Sequence, residues 1–248
     1  SIATQTTLQL LTRSGAVAGT LLRLPDTAEE ARTIAGLLQV NDRQIYLRER
    51  AQEQTVYDLS DQGQLQGLRY LLFSTHGLLS GQFLPPEVPE APAHRVGPTP
   101  AVPPAEPREP ALALTLVGDL RGHDGFLKMG EILGLKLDTD LVVLSACNTV
   151  GEVAQKENRG EGFVGLTRAF LFAGAHRLLV SHWSVDSAAS RDLMTATFTR
   201  LQAGQLPADA LAEARQAVRR KTVQSPGSSV TVAYAHPLFW APFVVVGD

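Results

Sequence analysis

Short apolar runs, rich in Leu and Val and closed off by turn residues, recur along this chain: GTLLRL (19–24), YLLFST (70–75), ALTLVG (113–118), LVVLSA (141–146), RLLVSHW (177–183) and FVVVG (243–247). A strand with one wet face alternates apolar and polar residues. Continuous runs of this length instead predict strands covered on both faces, as in a parallel sheet flanked by helices.

The segments between the runs carry the helical period. TAEEARTIAGLLQV opens on Thr27 with Glu30 three residues later, the spacing of a capping box, and Ala31, Ile34, Leu37 and Leu38 continue it as an apolar stripe. EGFVGLTRAFLFAGA places Phe163, Leu166, Ala169 and Phe170 on one face, with Gly174 to end the helix. Two more helices are predicted in DSAASRDLMTATFTRLQAG, capped by Asp186 or Ser187, and in LPADALAEARQAVRRK, with Pro207 near its first turn. Strands alternating with helices make an α/β sandwich.

One stretch breaks the alternation. Residues 84–111 hold ten prolines, which remove backbone donors and stiffen the chain, so an exposed insertion of polyproline character between two strands is expected there. A partner-docking segment or a lid over a site is the alternative for it. The rest of the 248 residues, 44% hydrophobic and 19% charged, suffices for one large core. The first residues, SIATQTTLQL, lack an initiator Met and a signal-peptide pattern, and suggest a fragment with more protein upstream.

Charge and cysteine usage narrow the function. A net charge of −3 gives no basic face for nucleic acid or an anionic membrane, and no apolar run approaches the roughly 18 residues of a membrane span. A lone cysteine makes neither an internal disulfide nor a cysteine zinc site, which argues for a reducing, cytoplasmic location. No metal-binding or P-loop motif occurs, and neither a metal nor another cofactor is expected.

Two of the apolar runs end in reactive residues. YLLFSTHG delivers His76 and Gly77, and LVVLSACNT delivers Cys147, the only cysteine in the chain. The carboxyl ends of parallel strands form the usual ligand crevice of an α/β sheet. If the two strands are neighbours, about 5 Å apart, imidazole and thiol come within reach of each other. A free thiol has a pKa of about 8.5 and is mostly protonated at neutral pH; a nearby imidazole takes its proton or stabilises the thiolate, and later protonates the leaving amine. The amides of Gly77 and Cys147 are candidates to receive the developing negative charge on a carbonyl oxygen. Taken singly, a cysteine after an apolar strand is more often a small buried residue, and a histidine there more often structural.

The ordered blocks LRLPDTAEEARTIAGLL, YLLFSTHG, LVVLSACNT, GEGFVGLTRAFLFAGAHRLLVSHWSVD and HPLFWAPFVVVGD resemble the CHAT domain, a caspase-like and separase-like group related to clan CD cysteine peptidases. The resemblance covers about residues 20–248. It implies one caspase-like sandwich over residues 1–248, with a mixed, mostly parallel sheet of six strands between helices. It also implies a cysteine endopeptidase acting on a protein substrate, with His76 as base and then acid and Cys147 as nucleophile. By position, Ser145 and the segment HWSVD, with Trp183 and Asp186, then line the pocket for the substrate residue preceding the cut. An acidic Asp186 there would favour Arg or Lys, although Asp186 equally suits a helix N-cap. The segment 150–162, VGEVAQKENRGEG, is expected to be a surface loop with Lys156 and Arg159 as candidate processing points. Tetratricopeptide-type repeats or a sensor segment upstream are the partners the family implies. Two rival functions remain: a non-catalytic interaction module, and a thiol hydrolase of small molecules.

Among the other histidines, His123 is read as a turn residue, His236 as ordering the turn before the last strand, and His182 as a core or backbone-bonded residue near the rim; Trp240 is read as core.

Overall fold

Six strands form the central sheet in the order β10-β7-β6-β3-β4-β5. In chain order these are β3 (Gln66–Leu78), β4 (Ala111–Ala113), β5 (Phe126–Lys128), β6 (Asp138–Cys147), β7 (Ala175–Ser181) and β10 (Phe243–Gly247). The computed structural model describes residues 7–11, 17–22, 24–78, 109–115, 122–147, 159–182, 187–224 and 231–247, with backbone alone at residues 7–11, 17–22, 25, 146, 147, 159–163 and 187. The β3–β6 and β6–β7 ladders are parallel, while β10 runs antiparallel to β7, β4 to β3, and β5 to β4. Thus β3, β5, β6 and β7 share one direction and β4 and β10 oppose it. The sheet is mixed and mostly parallel by strand direction, as the resemblance implies.

Helices cover both faces, which explains the continuous apolar runs. On one side α2 (Glu53–Asp61), α3 (Met129–Ile132) and α4 (Arg159–Phe172) enclose a core with Phe73, Val142, Leu144, Leu178, Leu166 and Phe170. On the other, α1 (Pro25–Leu37), α5 (Ser187–Gln202) and α6 (Pro207–Arg219) bury Leu141, Val143, Leu179, Ile34, Phe198 and Leu211. Successive residues of β6 alternate between the two cores, so each face of the strand is apolar. Each fully buried Leu or Phe contributes about 1.5–3 kcal/mol relative to exposure.

Several sequence expectations need correction. The run at 19–24 is not a core strand: β2 (Val17–Leu22) pairs antiparallel with β1 (Thr7–Leu11) in a separate two-stranded sheet. The sixth place in the central sheet goes to β5, whose three residues are too few to show a period. Of the run at 113–118 only Ala113 lies in a strand, as the last residue of β4, which begins at Ala111 inside the expected proline-rich segment; Leu114 and Thr115 are outside any strand, and residues 116–118 lie outside the described residues. The last run does form a strand, β10. A further small pair, β8 (Thr222–Gln224) with β9 (Thr231–Ala233), follows α6. Helix α4 begins at Arg159, so the end of the expected surface loop is helical. Lys156 and nearly all of the proline-rich insertion lie outside the described residues.

The capping box also fails, for a definite reason. Pro25 occupies the first turn of α1, where its missing donor costs nothing, and the N-cap is Leu24, with no side-chain cap. Thr27 already lies inside the helix, its Oγ1 donating to the Leu24 carbonyl at 2.7 Å. Glu30 therefore falls in the second turn, on the stripe that includes Ile34, and faces the sheet.

Candidate functional site

Parallel pairing in exact sequence step puts Tyr70 opposite Leu141, Leu72 opposite Val143, Ser74 opposite Ser145 and His76 opposite Cys147. Residues paired this way share a face of the sheet. Climbing the ladder on the α1 side, two apolar pairs give way to a serine pair and then to the His76–Cys147 pair, at the carboxyl end of β6. The expectation that the two strands are neighbours is therefore met at the level of backbone register.

His76 is 8% exposed and is paired across β3 with Ala113 of β4, so strands flank it on both sides. Gly77 follows within β3, opposite Leu112, one residue past the last β3–β6 pair. Ser145, 6% exposed, lies two register positions below Cys147, on the same face. On β7, Ser181 stands one residue past Val180, the partner of Leu144, and is buried as well. A layer of serines thus underlies the rim. Trp183 and Asp186 lie outside the described residues.

Sequence reasoning missed Glu30. Its carboxylate, 3% exposed, reaches from α1 to the serine layer: the Ser74 hydroxyl donates to Oε1 at 2.9 Å, and the Ser145 hydroxyl donates to the same carboxyl group. Burial pushes the Glu30 carboxyl above the ordinary carboxylate range, opposed by the two serine hydroxyls and by the nearby Arg191 guanidinium. Arg191 of α5 in turn meets Glu29 at 2.8 Å and Asp26 at 3.6 Å, joining α1 to α5 beside the site. Two sequence signals could have revealed this. An acid stands on the apolar stripe of α1, and a serine interrupts each of two core strands at the same distance, two residues, from its reactive residue.

A second buried acid braces the strand next to His76. Glu53, at the start of α2, accepts from the Gly125 amide at 3.0 Å and meets His123 Nδ1 at 3.0 Å, while His123 Nε2 lies 2.7 Å from Gln54 Oε1. Tyr57 stacks on the His123 ring. His123 is thus more than a turn residue: it fastens the β4–β5 connection to α2, and β4 backs His76. Burial, with the Glu131 charge, raises the Glu53 carboxyl.

The remaining expectations divide. His236 does order its turn, its Nδ1 accepting from the Leu238 amide at 3.2 Å. Trp240 is only partly buried, packed against the α5–α6 core with its indole donating to the Ala235 carbonyl at 3.2 Å. The His182 side chain is exposed rather than in the core, and its backbone amide donates to the Pro242 carbonyl at 2.8 Å. Among the described residues no helix is long and apolar enough to cross a membrane, and no group of three or more His, Cys, Asp or Glu is placed to hold a metal ion.

Comparison with known proteins agrees with this fold. The family model described as CHAT domain matches residues 7–248. Tetratricopeptide repeat protein 28 of Mus musculus is 37% identical over 122 residues, which is 49% of this chain and 4% of that protein. The Homo sapiens protein of the same name is 36% identical over 122 residues, again 49% of the chain and 4% of the protein. The chain therefore spans about 4% of the length of these relatives.

Proposed function

The chain belongs to the CHAT domain family, a caspase-like group related to cysteine peptidases, and from that premise we propose that it is a cysteine endopeptidase cleaving a protein substrate through a His76–Cys147 dyad. The observation that carries this reading is the register: His76 and Cys147 are direct partners at the carboxyl end of two parallel strands. His76 takes the Cys147 proton, the thiolate sulfur attacks the scissile carbonyl carbon, and the imidazolium returns the proton to the leaving amine. That leaves a thioester on Cys147, which water hydrolyses with His76 again as base. The amides of Gly77 and Cys147 hold the oxyanion.

Ser145, Trp183 and Asp186 line the pocket for the substrate residue before the cut, with Asp186 favouring a basic residue by a charge-assisted pair. The domain acts beside tetratricopeptide-type repeats or a sensor segment that control it, a reading supported by the likeness to Tetratricopeptide repeat protein 28. Its single cysteine suits the reducing cytoplasm.

A panel of fluorogenic peptides differing in the residue before the cut tests the specificity. Cleavage is expected after Arg and Lys, and Asp186→Asn is expected to reduce it about tenfold or more. Cleavage after Leu, Asp or small residues, with none after Arg or Lys, would contradict the acidic pocket. Turnover of small thioesters with no peptide cut would favour the small-molecule hydrolase instead.

A further inference from the structure

We propose that Glu30 is a positioning residue for the His76–Cys147 pair: reaching from α1, its carboxyl group clamps the Ser74 and Ser145 hydroxyls and so fixes the two strand ends two register positions below the dyad. This inference rests on the dyad reading above. Ser74 and Ser145 are direct partners across the β3–β6 ladder, and His76 and Cys147 are the next pair on the same face. Two residues along a strand rise about 6.6 Å. A bridge at the serine level therefore acts within that distance of the reacting groups.

The bridge is built to hold. Glu30 comes from a helix rather than from either strand, and its carboxyl group receives hydroxyls from both strands. A carboxyl group has two oxygens, enough to meet both hydroxyls. Hydrogen bonds made away from water are stronger than exposed ones, and a buried group left without them is costly. Helix α1 is held in turn by Arg191 of α5 against Asp26 and Glu29. The charged groups facing Glu30 are then Asp26 on its own helix and Arg191 from α5, with the two serines presented by the sheet. Loss of the clamp frees the strand ends to separate, and an imidazole that drifts from the thiol no longer lowers its pKa.

Alkylation of Cys147 tests this without a substrate, because the chain has one thiol. The rate of reaction of the folded protein with iodoacetamide is measured from pH 5 to 9, with thermal unfolding recorded for each variant. Glu30→Ala is expected to raise the pH of half-maximal rate by about one unit, toward the ordinary thiol value of about 8.5, and so to slow alkylation at pH 6.5 by about tenfold. Glu30→Gln is expected to recover most of the wild-type profile, since its amide oxygen accepts one hydroxyl while its NH₂ donates to the other. A folded Glu30→Ala with an unchanged profile would overturn the proposal, whatever its unfolding temperature, because a purely structural residue moves stability alone. Should Glu30→Ala fail to fold, Ser74→Ala and Ser145→Ala each remove one side of the clamp. Each is then expected to shift the profile upward, and no shift in either would overturn the proposal. Failure to cleave any peptide, with the Glu30 effect intact, would count against the peptidase and leave the clamp standing. A wild-type profile matching His76→Ala would overturn both.

Discussion

Replacing Cys147 by Ala, or His76 by Ala, is expected to lower kcat/KM on a cleavable peptide by about 10⁴-fold or more, a loss of about 5.5 kcal/mol of transition-state stabilisation. The size follows from how the two groups depend on each other. Without sulfur there is no covalent path. Without imidazole, a thiol with a pKa of about 8.5 is only a few per cent thiolate at neutral pH, and nothing protonates the leaving amine. The double variant is expected to lose little more than either single one, because the pair acts as a unit and the residual rate comes from binding and oxyanion donors. Both sites lie at strand ends rather than in the apolar cores, so the unfolding temperatures are expected to change little beside the rate. Undiminished cleavage by Cys147→Ala would end the mechanism.

Gly174→Ala is expected to be the most damaging single methyl group. Gly174 sits between α4 and β7 with φ +110°, a conformation that residues with a Cβ rarely adopt. An added Cβ would fall 2.1 Å from the Leu137 carbonyl oxygen and 2.8 Å from its carbonyl carbon. Neither neighbour can move cheaply. Leu137 leads into β6, its amide bonded to the Ala173 carbonyl at 2.8 Å, and the Thr139 amide donates to the Gly174 carbonyl at 3.3 Å. The methyl group therefore wedges α4 and β7 away from the strand that ends at Cys147. Backbone strain and overpacking together predict a loss of about 4 kcal/mol, read as a fall of about 10 °C in Tm. An unchanged Tm would mean that this corner is far looser than its contacts imply.

The sheet and the meeting of His76 and Cys147 on neighbouring strands were legible in the sequence because the signal is local. A strand buried on both faces needs a continuous apolar run, and His76 and Cys147 stand where two such runs stop. What stayed hidden depends on context that no short window contains. GTLLRL has the composition of a core strand but pairs as β2 with β1 outside the central sheet. FVVVG looks the same whether it runs parallel or, as β10 does, antiparallel to β7. Three-residue β5 shows no period at all.

Glu30 is the instructive case. Its spacing from Thr27 is correct for a capping box, and only the entry of the helix two residues earlier, at Pro25, turns it inward to the serine pair. Local pattern and tertiary placement diverge there. The buried Glu53–His123 contact was hidden for a similar reason, since its partners lie 70 residues apart in sequence.

The claim on which the rest depends is that His76 activates Cys147, and one comparison addresses it directly: the pH dependence of Cys147 alkylation by iodoacetamide in the wild type and in His76→Ala. The account predicts a wild-type profile with its half-maximal pH at least about one unit below 8.5, and a His76→Ala profile near 8.5. Superimposable profiles for the two proteins would contradict it.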